Sequence, residues 1–359
     1  MVVEEMEREL IQKEDEINRL ERQLGRANQQ LEESEQANTQ LQRQIAELEK
    51  LKLATDASSS SKEQRASVKL IWREGEKAPC KMSNSFCAAI DNSTLYVRQA
   101  TSYQMFVYTT STSSWSRLPD SPTTSCPTVV INSLPTLVGG KRSGTLTNQL
   151  FSLTGEGSAR RWTEEFPPMP TKRLGSNALC TGTALIVVGG KDKGMLPLQA
   201  VEVLNFETLQ WSTAADLPKP LSLASLAVCG DFVYILGDSN MYMCSIFTLI
   251  QSHKSFLAAV RKRGATVWKK VAIPPVTETS CVSTHGRLLA IGGWDSDNVP
   301  TSAIHMYNPT TDSWEVISHM GTPRYNCIAA VLPSNQLMVV GGYTSSYVST
   351  DSVEFANVE

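Results

Sequence analysis

Apolar residues first recur along this chain with the period of a helix and then, abruptly, with that of short strands. With heptad position a at Val3, Leu10, Ile17, Leu24, Leu31, Asn38 and Ile45, position d falls on Met6, Lys13, Leu20, Ala27, Ser34, Leu41 and Leu48. Eleven of these fourteen positions are apolar over seven heptads, the signature of a coiled coil. No proline precedes residue 79, and a helix over the seven heptads would be about 75 Å long. So narrow a stripe cannot bury itself alone. It predicts a partner helix packed on a seam of Leu10, Ile17, Leu20, Leu24, Leu31, Asn38, Leu41, Ile45 and Leu48. An Asn at an a position, here Asn38, often fixes register and favours a parallel dimer. A parallel homodimer, however, sets Glu9 against Glu14 and Glu16 against Glu21. A modest dimer, a more basic partner helix and an antiparallel arrangement all stay open, as does a solvated single helix supported by Glu4–Arg8 and Glu9–Lys13. Residues 54–66, ATDASSSSKEQRA, read as a flexible linker.

From about residue 67 short β-branched runs alternate with Gly, Pro, Ser and Asp turns, and the pattern repeats. Apolar strands end in glycine doublets at Gly139–Gly140, Gly189–Gly190, Gly292–Gly293 and Gly341–Gly342. Tryptophans stand at 72, 115, 162, 211, 268 and 314, at intervals of 43, 47, 49, 57 and 46 residues. Each unit keeps one order, as in ETSCVSTH, RLLAIGG, a loop, then AIHMYNPTTDSW: four short strands with a polar turn before the Trp strand. Two units are degenerate. The first has Arg98 and Gln99 where the doublet is expected, and the fourth has Asp238 in place of the second glycine.

Doublet and Trp in register over about 290 residues resemble the kelch repeat. The resemblance implies a mainly β fold, a six-bladed kelch-type β-propeller, preceded here by a long α-helical coiled-coil segment. A four-stranded sheet cannot cover both its faces alone, but a closed ring of sheets can. The last unit ends at DSVEFANVE without a Trp strand, and SVKLIW (67–72) is a Trp strand without a unit. Residues 67–72 are therefore expected to complete the sixth blade. The domain plan is a coiled-coil helix at 1–53, a linker at 54–66 and a propeller at 67–359.

Charge sharpens this division. The chain carries a formal net charge of −3, which argues against a generic nucleic-acid binder. Residues 1–53 hold 13 acids and 8 bases and the linker is neutral, so the repeats are slightly basic. No apolar run is long enough to span a membrane, and MVVEEMEREL does not read as a secretory signal. A cytoplasmic protein that binds neither membrane nor specific nucleic acid is expected. The eight cysteines include no C-x-x-C, and the four histidines have no paired metal-ligand spacing. No G-x-S-x-G, P-loop or H-E-x-x-H motif occurs. Catalytic residues, metal and cofactor are each expected to be none.

Binding remains. In an antiparallel blade, the turn before the first strand and the loop after the second emerge on one face. That rim is expected to bind protein partners through Asn84, Ser125, Arg173, Asn177, Glu278, Trp294, Asp295, Arg324, Asn326 and Tyr343. Arg173 (in PTKR) and Arg324 (in GTPR) match the turn with which kelch adaptors, by resemblance, grip acidic or phosphorylated peptides; the other reading is a solvated turn arginine. For Trp294 and Tyr343 the other reading is packing within the repeat. The fourth unit carries about ten extra residues, with a basic run at Lys254, Arg261, Lys262 and Arg263. This insertion is read either as a solvated loop or as a contact for an acidic partner. The expected function is a non-enzymatic scaffold or adaptor that forms homo- or hetero-oligomers through the coiled coil. Alternatives are a ubiquitin-ligase substrate-recognition subunit, although no BTB or BACK domain precedes the repeats, an actin-associated cross-linker and, in a different class, a kelch-type metal enzyme.

Overall fold

A computed structural model describes residues 70–82, 86–90, 94–99, 102–250, 267–332, 334–345 and 348–358. The coiled-coil seam from Leu10 to Leu48, the basic run Lys254, Arg261, Lys262 and Arg263, and Asn84 lie outside the described residues. Six four-stranded antiparallel sheets form the blades of a propeller. Each runs outward from an inner strand: Phe86–Ile90, Thr128–Ile131, Asn177–Cys180, Ser225–Cys229, Ser280–Thr284 and Ile328–Val331 in blades 1 to 6. The sheet of blade 6 is made from both ends of the described chain. Its third strand, Val353–Val358, pairs with Leu70–Glu74 as outer strand, setting Trp72 opposite Ala356.

The core lies between blades rather than within them. In blade 3 the second strand, Ala184–Val188, is buried along its whole length. Side chains alternate across a strand: Ala184, Ile186 and Val188 pack against blade 4 with Val233, Ile235 and Tyr242. Leu185 and Val187 pack the other way, with Val138 and Leu150 of blade 2. Both faces are covered, so the strand reads as a continuous apolar run rather than an alternating one.

Two sets of hydrogen bonds tie neighbouring blades. Near the channel, the second glycine of each doublet donates its N–H to the turn leading into the next blade: Gly140 to Arg173 O, Gly190 to Leu221 O, Gly293 to Arg324 O and Gly342 to Met82 O, at 2.6–2.9 Å. The first glycine is pressed as closely. At Gly341, φ is +63°, and a Cβ would stand 2.2 Å from Met82 O. At the periphery each unit's Trp donates its indole N–H to the preceding blade. Trp115 reaches Glu76 O, Trp162 Pro119 O, Trp211 Pro167 O, Trp268 Ala215 O and Trp314 Ala272 O. The sixth link is Trp72 to Ser318 Oγ, which closes the belt. Trp268 and its bond are buried, so Trp268→Phe strands the Ala215 carbonyl. Chemical denaturation should show a loss of about 1–3 kcal/mol with an unchanged m-value.

The degenerate units have their own solutions. In blade 1 the buried Arg98 replaces the doublet, and its guanidinium donates to Thr123 O (3.5 Å) and to Cys126 O. Thr123 occupies the leading-turn position held elsewhere by Arg173, Leu221, Arg324 and Met82. A side chain thus serves the junction that a backbone N–H serves in four other blades. In blade 4, Gly237 pairs with Asn240 across a two-residue turn whose Asp238 and Ser239 both have positive φ, 49° and 55°. That is the geometry of a tight hairpin, and no long loop rises from blade 4 at this point.

Candidate partner-binding rim

The leading turns and the loops after the doublets meet on one face, joined by backbone bridges from Thr124 to Lys141, Leu174 to Lys191, Thr277 to Trp294 and Tyr325 to Tyr343. The residue directly after each doublet therefore takes an equivalent place on the rim. Its chemistry divides the face, with lysine on blades 2 and 3 and a large aromatic on blades 5 and 6.

Around the channel mouth, Ser125, Gly175, Glu278 and Asn326 stand one residue after the bridge in their turns, and Leu223 stands two residues after the Leu198–Leu221 bridge; all five have φ between 49° and 60°. Gly175 N–H donates to Ser125 O, Leu223 N–H to Gly175 O and Asn326 N–H to Glu278 O, at 2.7–2.9 Å. These bonds step from blade to blade, and the left-handed backbone is what lets each turn reach its neighbour. Farther out, the loops of blades 3 and 5 share one fold. Asp192 Oδ1 accepts from the N–H groups of Gly194 and Leu196, and Asp295 Oδ1 from those of Asp297 and Val299, at 2.8–3.0 Å. The fold leaves Leu196 and Val299 exposed at matching positions, and Val348 of blade 6 is exposed beside the equivalent bridge. In blade 2 the loop is instead a ribbon, Leu134–Arg142 with Thr145–Thr154, whose exposed tip carries Lys141 and Arg142.

Three aromatic rings cross the boundary of blades 5 and 6. Tyr325 is buried between Trp294, at 4.4 Å between centroids, and Tyr343, at 5.1 Å and stacked. Trp294 and Tyr343 are half-buried, so each packs within the repeat and also presents surface. Beside them Asn326 Nδ2 donates to the exposed Glu278 Oε2 at 2.6 Å.

Four of the expected rim residues are committed to the fold. Arg173 and Arg324 are fully buried, neither rim contacts nor solvated turn arginines. Arg173 Nη1 donates to Gly189 O (2.9 Å) and Ala200 O (3.0 Å), pinning both ends of the loop that carries Lys191. Its Nη2 lies 2.8 Å from Glu202 Oε2, outside hydrogen-bond alignment. Burial pulls this guanidinium below its ordinary pKa, and the Glu202 charge opposes that pull. Arg324 does the same in blade 6, with Gly341 O and Ser352 O as acceptors and Glu354 as counter-ion. Asn177 spends its amide on Ala224 O of the next blade, and the Asp295 Oδ1 atom holds its own loop together. The structure brings Glu278, Trp294, Asn326 and Tyr343 together, while Ser125 lies across the mouth in blade 2. Sequence reading missed Tyr325, Leu196, Val299 and Leu223. Only the bridge register, which places the residue after each doublet beside the leading turn, could have pointed to Tyr325.

Seven described cysteines are free. Burial pushes the thiols of Cys180 and Cys327 up to about 11 and those of Cys244 and Cys281 to about 12, which makes them packing groups rather than nucleophiles. Among the described residues no three His, Cys, Asp or Glu side chains gather as metal ligands, and no helix is long and apolar enough to cross a membrane.

Comparison with known proteins places this architecture. The Kelch motif model matches residues 172–218 and 275–321, which span blades 3 and 5. Kelch-like protein 35 of Mus musculus is 28% identical over 174 residues, 47% of this chain and 28% of that protein. Kelch domain-containing protein 8B of Mus musculus is 29% identical over 157 residues, 42% of this chain and 43% of that protein. Beta-scruin of Limulus polyphemus is 21% identical over 213 residues, 58% of this chain and 22% of that protein. The chain thus matches less than half the length of these relatives. Among solved structures, that of YjhT superposes with a TM-score of 0.61 at 15% identity, covering 77% of this chain and 95% of that one, which speaks to the fold alone. The chain carries kelch repeats and folds as a kelch-repeat β-propeller.

Proposed function

We propose that this protein is a non-enzymatic interaction scaffold whose propeller binds partner peptides or domains on the rim, while its N-terminal heptads oligomerise the chain. One observation carries the reading. Equivalent rim positions bear side chains suited to recognition, Lys141 and Lys191 on one flank and Trp294 and Tyr343 on the other, with exposed apolar Leu196, Val299 and Val348 at the loop tips. Aromatics and exposed apolar patches of this kind are where binding energy concentrates. Kelch-like relatives support an adaptor role. Two or more propellers on one stalk would raise effective concentration and let a weak rim site hold a multivalent partner. Free cysteines suit a reducing compartment, and we place the protein in the cytoplasm.

Affinity capture on the full chain tests this, comparing the wild type with Lys191→Glu/Trp294→Ala, which changes both flanks without touching a buried ion pair. At least tenfold lower recovery of retained proteins is expected from a variant that still melts in one cooperative transition. Equal recovery would remove the rim from the proposal. Analytical ultracentrifugation of the full chain and of a chain lacking residues 1–66 tests the stalk, and the same number of chains per particle in both would remove it.

A further inference from the structure

The two flanks of the rim differ in charge as well as shape. Blades 2 and 3 present Lys141 and Lys191. The aromatic flank of blades 5 and 6 presents carboxylates: Glu278 follows the residue bridged to Trp294, and Asp297 is exposed in the loop that begins at Trp294. Neither of these carboxylates has a cation within ion-pair distance among the described residues. Arg324, the nearest arginine in sequence to this cluster's Tyr325, is fully buried and neutralised by Glu354. The Trp294 indole is held against Tyr325 and anchored through its own backbone to Thr277, with N–H···O distances of 2.8 and 3.0 Å in the two directions. An aromatic ring fixed in this way, half-exposed, with an unpaired carboxylate on the turn bridged to it and another in its own loop, is suited to a cation.

We infer that the aromatic flank of blades 5 and 6 binds an arginine side chain of a partner protein, its guanidinium packed on Trp294 and paired with Glu278 and Asp297. Arginine fits better than lysine on two counts. Its planar, weakly hydrated cation stacks on an aromatic ring, and its fork of donors can satisfy more than one carboxylate. Glu278 is oriented for this by the amide of Asn326, which donates to Oε2 at 2.6 Å. Ring and carboxylates together should favour a guanidinium over a neutral isostere of the same shape by about tenfold. The inference rests on the rim being the binding face and adds the chemistry of what one half of it takes.

The test uses the full chain and three fluorescein-labelled Gly-Ser dodecapeptides that differ at two central positions, carrying arginine, lysine or citrulline. Fluorescence anisotropy at low and physiological salt is the readout. The arginine peptide should bind about tenfold more tightly than the citrulline peptide and more tightly than the lysine peptide. Trp294→Leu should weaken arginine binding about tenfold, and Glu278→Gln and Asp297→Asn each a few-fold with a flatter salt dependence. Arg160→Ala, in the exposed turn between the third and fourth strands of blade 2 and off the rim, should leave it unchanged. Thermal melting of each variant establishes that it is folded. Equal binding of the arginine and citrulline peptides, or undiminished binding by folded Trp294→Leu, overturns the inference. Rim-dependent capture of partners combined with failure of the arginine peptide would leave the scaffold reading standing and remove only the arginine chemistry. Loss of rim-dependent capture would remove both.

Discussion

Deleting residues 70–74, with the rest of the chain kept, is expected to lower the melting temperature by about 10 °C or more. The strand Leu70–Glu74 forms the outer edge of blade 6, paired along its whole length with Val353–Val358. Leu70 is buried in the layer between blades 5 and 6, with Trp72 packed against the same layer. Arg73 lies 5.1 Å from the Phe355 ring, and the Trp72 indole supplies the link to Ser318 that closes the peripheral belt. Burying one large apolar side chain contributes about 1.5–3 kcal/mol. Two such side chains, the belt link and the lost strand pairing together cost several kcal/mol, and in a domain of this size each kcal/mol moves the midpoint by roughly 2–4 °C. The deletion also exposes the third strand as an edge open to association with other chains, so light scattering on heating should rise earlier. Differential scanning calorimetry reads the first effect, and an unaltered transition would mean that this strand does not hold the ring. Trp72→Phe separates the two contributions in part, because it keeps an aromatic ring in the layer while removing the indole donor together with some packed volume.

Arg324→Met is the other substitution with a large expected effect, about 3–5 kcal/mol of stability lost in chemical denaturation. The guanidinium has no exposed surface, and its loss leaves Glu354 as a buried carboxylate without a cation. Glu354 would retain the N–H groups of Gly321 (2.7 Å) and Thr322 (3.0 Å), which soften the loss without replacing the charge. The carbonyls of Gly341 and Ser352 would lose donors at the same time, which loosens both ends of the loop that begins at Tyr343. Arg324→Met/Glu354→Gln should recover part of the stability, since the uncompensated charge goes with the arginine. Rim binding in this double variant should stay weakened, because the loop has lost its pins. A folded, fully stable Arg324→Met that selectively loses a partner would return this residue to the rim.

These two cases mark where reading the chain succeeds and where it stops. The closing strand is visible in sequence because a Trp strand without a unit and a unit without a Trp strand sit at opposite ends of one repeat pattern. The arginines are different. PTKR and GTPR place Arg173 and Arg324 in turns beside the rim, and residues in turns usually face water. Their counter-ions, Glu202 and Glu354, lie on third strands about thirty positions downstream, and no local spacing links the two. The direction of each side chain follows from the gap left beneath each doublet loop, which exists only once the second and third strands are paired. Arg98 makes the same point from the other side. It reads as a broken repeat, yet its guanidinium reaches the turn that a glycine N–H serves elsewhere.

The amino-acid sequence by itself determined the repeat, the number of blades, the strand that joins the ends and the face on which the loops collect. All of these follow from periodicity, because a regularly spaced pattern of glycine, tryptophan and apolar runs has one way of covering both faces of every sheet. The tertiary structure alone decided which polar residues on that face are available. Burial and ion pairing depend on groups distant in the chain, so two arginines were drawn inward to hold loops, while Trp294, Glu278, Asn326 and Tyr343, from two different blades, were brought together at the surface.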